Sequence, residues 1–435
     1  MELTEKTPLK NENKTKLLLF IQSFSELFLS SRNLFYLLGI GFIETVGILS
    51  IMTGLSIYLS SVKNLSDVLT GLIIASYGLS QFIYSLFLGS LIDKYGLKKS
   101  LILGNCSALL GLVLISLIKN IYLQVSFLLT FISIGASVVL PCLKLGIKEY
   151  TNEQARSLGY SILYIIIFGG GALAGILIDA ALTLGGKNES TFTIIFYSGT
   201  ALMSTSTLLS LFIAEIEVKN SEKTSWAITK EVLTDLVFWK FMLLTLLLVV
   251  VKSMFNHITI TLPLYMNREI EDGAHFGVML AIHKVTMVIF IPILTGLVYF
   301  FNSYTLLMIG GFISALSVLP MLVESSYLSV IGFVVVVSVG ESLYAPRLID
   351  YTLSIAPIGK EGTFLAIASS PMSLGMIIAG LLGGSLLNEF CPNHGSRNCG
   401  SMWGIIGLIN LTIPILMLVF RGFLEVHPKE IIKLV

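Results

Sequence analysis

The chain alternates between long apolar runs and short polar breaks. Twelve runs reach the roughly 20 residues that a helix needs to cross a bilayer. They cover 33–61, 67–92, 100–119, 121–146, 157–183, 192–214, 240–264, 275–300, 303–323, 327–350, 362–388 and 401–424. A shorter run over 17–31 carries Glu26, which predicts a helix lying in the membrane interface. The most polar break, 215–239, separates the runs six and six. The expected organisation is a tail and interfacial helix over 1–32, a six-helix bundle over 33–214, a linker over 215–239, a second bundle over 240–424 and a tail over 425–435.

Composition agrees with this pattern. Of 435 residues, 55% are hydrophobic and 12% charged, and the mean hydropathy is +0.89. Soluble chains carry about 25% charged residues. The fold class is therefore all-α membrane protein, with twelve transmembrane helices and the lipid bilayer as its surroundings. A net charge of +1, with no basic patch interleaved with aromatics, gives no footing for nucleic acid. No phosphate-binding loop, HExxH or nucleophile elbow is present, so neither an enzyme nor a cofactor is expected.

Charge placement orients the chain. Twenty of the 27 Lys and Arg residues fall in breaks on the side of the termini and five on the other side; Lys252 and Lys284 fall inside runs. This asymmetry predicts cytoplasmic termini. Lys144 is counted among the cytoplasmic cations and Arg268 among the outer ones. The first sixteen residues are polar and Lys-rich and predict a cytoplasmic tail. Whether the membrane is the plasma membrane or an internal one stays open. The same orientation puts the loop CPNHGSRNC outside, where Cys391 and Cys399 are expected to pair in an oxidising compartment. His394 between them invites a metal reading, but the ligands are too loosely spaced to support one. Sequons at Asn64 and Asn188 also fall on outer loops.

Between the second and third runs the chain reads LGSLIDKYGLKKS. Gly89, Asp93, Lys94, Gly96, Lys98 and Lys99 stand at fixed spacing. The stretch resembles the loop G-x-L-x-D-R/K-x-G-x-K/R-K/R of the major facilitator superfamily. Physically, Gly89 permits close helix packing and Gly96 a tight turn, the lysines hold the loop in the cytoplasm, and Asp93 suits a helix N-terminus or a basic partner. The matching stretch of the second half, GLVYFFNSY from Gly296, has lost the acid and the bases. The resemblance implies two six-helix bundles, a central small-molecule site between them, alternating access and a monomer.

An ionisable group at the bilayer midplane costs at least ~2.5–3.5 kcal/mol, so those present are site candidates. They are Glu44 in the first helix, Lys252 and His257 with the amide Asn256 in the seventh, Lys284 and His283 in the eighth, and Glu341 in the tenth. Lys252 and Asn256 are four apart and share a face. His283 reads either as a satisfied core histidine or as a functional one. Asp179, Arg347 and Asp350 lie near helix ends and read as structural. Pro263, Pro292 and Pro346 are candidate helix breaks beside a cavity.

The tenth helix, ESLYAPRLIDYTLSIAP, resembles that of the proton-dependent oligopeptide transporter (POT) family through Glu341, Pro346, Ala356 and Pro357. In that family the Glu binds the substrate's amino group, which implies that role for Glu341. The first helix aligns Glu44 with the second acid of the family's E-x-x-E-R motif, implicated in proton coupling, although Gly41 and Thr45 replace the first acid and the arginine. Pro141, Tyr164 and Gly170 match as well, while Leu140 stands at the family's lysine and Phe168 at its usual Asn. Both cations expected to hold a peptide carboxylate are thus missing, with Lys252 or Lys284 as replacements. The expectation is a secondary transporter of a small polar organic solute, amino-acid- or peptide-like. Glu341 and Lys252 would contact the solute, or each other when the site is empty, and protons are a possible co-substrate through Glu44. An uncoupled facilitator of a sugar, nucleoside or amino acid, and a non-transporting sensor or scaffold, stay open.

Overall fold

The computed structural model describes residues 31–216, 227, 230, 231, 233, 234, 236–297, 303–355, 363, 365, 366 and 369–421. The tail over 1–16, the interfacial run except its last residue, most of the 215–239 linker, 298–302, Ala356, Pro357 and the tail over 425–435 lie outside them, as do the side chains of Pro346, Arg347 and Asp350.

The fold is twelve membrane-crossing helices in two six-helix bundles. The first half holds α1 (Arg32–Val62), α2 (Asp67–Tyr95), α3 (Leu97–Leu117), α4 (Ile121–Tyr150), α5 (Glu153–Gly185) and α6 (Glu189–Ser210). The second holds α7 (Leu236–Ile260, bent by 41° into Leu262–Ile270), α8 (Phe276–Leu297), α9 (Tyr304–Val323), α10 (Tyr327–Ile355), α11 (Ser370–Phe390) and α12 (Cys399–Val419). In hydrocarbon every backbone amide must be paired within its own segment, which leaves helices as the solution for apolar runs of this length.

Local chemistry sets the helix starts. The side chains of Ser66, Asn120, Asn152, Asn188 and Asn398 each accept from a backbone N–H in the first turn of α2, α4, α5, α6 and α12. Gly96 alone joins α2 to α3, with φ +87°, a conformation open to glycine at little cost. α7 bends beside Pro263, at the start of its second segment, whereas Pro292 stays inside the continuous α8. Large apolar side chains such as Leu117, Leu184, Ile194 and Leu408 cover the outside.

The halves meet along α2 against α11 and α5 against α8. Both seams depend on glycine. A Cβ on Gly71 would overlap the carbonyl oxygen of Gly380, and one on Gly175 that of Gly277. Small residues at such crossings let backbones approach and gain packing energy in lipid.

Candidate functional site

A cavity of about 360 Å³ lies between the halves, lined by α1, α2, α4 and α5 from one and α7, α8, α10 and α11 from the other. Glu44, Lys144, Tyr164, Lys252, His283, Lys284 and Glu341 all line it. Helical spacing explains the convergence on α8, where Leu280, His283 and Lys284 form one face, and on α10, where Glu341 and Ala345 form another.

The second half supplies an ion pair. Lys252 Nζ donates to Glu341 Oε1 at 2.8 Å. The lysine sits over the rings of Tyr344 and Phe255, 4.9 and 5.2 Å from their centres. His283 Nε2 stands 3.4 Å from the other carboxylate oxygen, Oε2. His283 Nδ1 lies 2.7 Å from Ser338 Oγ, whose own proton goes to the Val334 carbonyl. Nδ1 is therefore the donor to Ser338. A neutral ring then turns its Nε2 lone pair towards Glu341, whose Oε2 is buried with no hydrogen-bond partner among the described residues.

The remaining charges are less well matched. Lys284 lies over the Phe168 ring at 5.1 Å, and Phe168 stacks on Tyr164 with centres 5.6 Å apart. Lys144, on α4, donates to Ser369 Oγ at 3.0 Å, across the halves. Among the described residues Glu44 has no hydrogen bond or ion pair; it lines the cavity near Tyr77 and Gln81.

Around the cavity, three sequence expectations need correction. Lys144 was counted with the cytoplasmic loop cations, yet it is 8% exposed and lines the cavity. It stands four residues after Leu140, so it occupies the same helix face one turn on from the missing lysine; that spacing was the available signal. Asn256 does not line the cavity. It is buried and donates to the Met372 carbonyl at 3.1 Å, tying α7 to α11. His257 is buried too, with Nδ1 2.7 Å from Thr261 Oγ1 and its ring against Trp403. The step of about 100° from Asn256 turns it away from the cavity.

At one end of the bundle, Asp93 accepts from the backbone N–H and the hydroxyl of Thr363, at 2.8 and 2.5 Å, across the halves. In the same loop the backbone N–H groups of Lys98 and Lys99 donate to Glu215, and Lys94 lies over Tyr95. Gly89 is buried in α2.

At the opposite end, Cys391 and Cys399 form a disulfide. Arg268, a loop cation in the sequence reading, is half-buried there on a π-helical turn. It donates to both oxygens of Asp67, one at 2.9 Å, and to the Cys391 carbonyl at 2.8 Å, so it spans the halves. Lys187 and Asp272 make a second, exposed cross-half pair. Asp179 accepts from the amides of Gly277 and Val278 at 2.9 and 2.7 Å, anchoring the start of α8 on α5. Glu269 lies beside both sulfurs, but these are consumed by the disulfide.

The family model of the Major Facilitator Superfamily matches residues 37–271 and 252–433. No curated protein matches the chain in sequence. Among solved structures, a POT family transporter in complex with 5-aminolevulinic acid is similar with a TM-score of 0.75 and 14% identity, covering 91% of this chain and 97% of that one. The peptide transporter POT in complex with alafosfalin is similar at 0.72 and 15%, over 90% and 94%. The nucleoside transporter NupG is similar at 0.71 and 12%, over 89% and 99%. At these identities the likeness is one of fold.

Proposed function

The chain belongs to the Major Facilitator Superfamily and is a membrane transporter, not an enzyme; from that premise we propose that it carries a small polar organic solute, amino-acid- or peptide-like, by alternating access and together with protons. The observation behind this reading is the cavity itself. It lies where the two bundles meet and draws charged side chains from both. The Lys252–Glu341 pair stands in the second half, and Glu44, without a partner among the described residues, in the first. A solute contacting both halves can stabilise a closed arrangement that an ionised, unpaired Glu44 opposes. Protonating that carboxylate removes a charge that is costly in a low-dielectric cavity. The cytoplasmic placement of the termini, the gating role of Asp93 and its neighbouring lysines, and a monomeric state belong to the same proposal.

The test is transport in proteoliposomes. Wild type is expected to concentrate a substrate dipeptide when a proton gradient is imposed. Glu44→Gln is expected to lose gradient-driven accumulation while still exchanging solute across the membrane. Accumulation that survives in Glu44→Gln would remove Glu44 from proton coupling. Uptake indifferent to the gradient in both proteins would favour an uncoupled facilitator.

A further inference from the structure

Six charged or imidazole side chains line the cavity among the described residues: Glu44, Lys144, Lys252, His283, Lys284 and Glu341. Their pairing is uneven. Glu341 is paired through one oxygen, by Lys252 at 2.8 Å; His283 Nε2 stands 3.4 Å from the other, which has no hydrogen-bond partner among the described residues. Among the described residues Lys144 has a neutral hydroxyl, Ser369 Oγ, as its one hydrogen-bond partner, and the charge that acts on it most is another cation, Lys252. Lys284 lies against an aromatic face; Glu341 acts on it through space, but no carboxylate among the described residues is in ion-pair range. Glu44 makes no ion pair and could neutralise only one lysine. Among the described residues, three protonated lysines face two carboxylates, which leaves a positive surplus whichever protonation state Glu44 and His283 take.

A buried cation without a carboxylate is expensive in this environment. Here two are held facing the cavity, one from each half of the molecule. We propose that the solute is a net anion: a carboxylate-rich amino acid or peptide, such as an acidic or N-acylated one, held by Lys144 from the first half and Lys284 from the second. This rests on the transport reading above and names the charge class of its solute. Glu341 is already neutralised by Lys252, so the surplus charge lies on the other two lysines. The stacked Tyr164–Phe168 pair and the apolar wall around it accept the uncharged body. A solute bound to lysines on opposite halves also draws those halves together.

The test uses the full chain in detergent and follows thermal stabilisation at neutral pH. The probes are alanyl-glutamate and N-acetyl-dialanine as anions, dialanine as a zwitterion, lysyl-alanine as a cation and thymidine as a neutral solute. The two anions are expected to bind at least about tenfold more tightly than dialanine. Lys144→Gln and Lys284→Gln should each weaken the anions by about tenfold, and Lys144→Arg, which keeps the charge, should retain them. The charge series on wild type stands alone if a variant fails to fold. Tighter binding of dialanine or lysyl-alanine overturns the anion assignment and leaves transport intact, as does unchanged anion affinity in both Gln variants. Stabilisation by none of the five probes would overturn the anion assignment and the solute class together.

Discussion

At the scale of single residues, the energetics of the cavity turn on completing or breaking charge pairs. Glu341→Gln strands Lys252 beside two aromatic rings. Breaking a buried pair from one side costs about 3–5 kcal/mol, whereas removing both partners is close to neutral. Glu341→Gln should therefore melt well below wild type, and the double variant Lys252→Met with Glu341→Gln should recover most of the loss in the same thermal unfolding series. A single variant as stable as wild type would mean that the pair contributes nothing. Much of this site was legible in sequence, because Glu44, Lys252, Lys284 and Glu341 are ionisable groups in the middle of apolar runs and a bilayer tolerates few of those. Lys144 and Arg268 were not. They stand near span ends, where a basic side chain ordinarily reaches water, and only the packing of the other half shows that they are covered. Asn256 failed for another reason. Helical spacing says that it shares a face with Lys252, but not that α11 occupies the end of that face.

At the scale of helices, the two ends of the bundle are fastened by different chemistry. The disulfide end combines the Asp67–Arg268 pair with glycine crossings, and the other end uses Asp93 on Thr363 and Lys144 on Ser369. Gly71→Ala would push a methyl group into the Gly380 carbonyl and pry α2 from α11. The expected result is faster alkylation of an Ile74→Cys reporter by a membrane-impermeant maleimide applied at the disulfide end; an unchanged rate would show that the crossing does not hold this end shut. The exposed Lys187–Asp272 contact adds a pH dependence. The hydrogen bond from Lys187, with its charge, lowers the Asp272 carboxyl below the ordinary carboxylate value. A lowered acid contributes its contact above its unfolded-state value and loses it as pH falls through the folded one. Acidification should therefore loosen this contact, seen as faster alkylation of the same reporter at acid pH, and Lys187→Ala should abolish that part of the acid response. The helices themselves were readable from run length alone. The break in α7 was readable only as a proline, since the angle comes from packing.

At the scale of the whole molecule, the twelve apolar runs anticipated the twelve-helix fold, and the loop around Asp93 anticipated the superfamily. Neither could say how the bundles face each other, because sequence patterns within each half do not record the seams between them. Alternating access makes a geometric demand that the seams allow: the disulfide end and the Asp93 end should open in opposition around the cavity. The most direct measurement is a pair of spin-label distances across the halves in the full chain, with Cys106 and Cys142 replaced by Ser. One pair is placed at Leu184 and Leu328, both highly exposed at the disulfide end, and the other at Phe212 and Phe420, exposed at the opposite end. With solute and protons supplied, the account predicts that one distance lengthens as the other shortens. Two distances that stay fixed under every combination of solute and pH would contradict transport by alternating access.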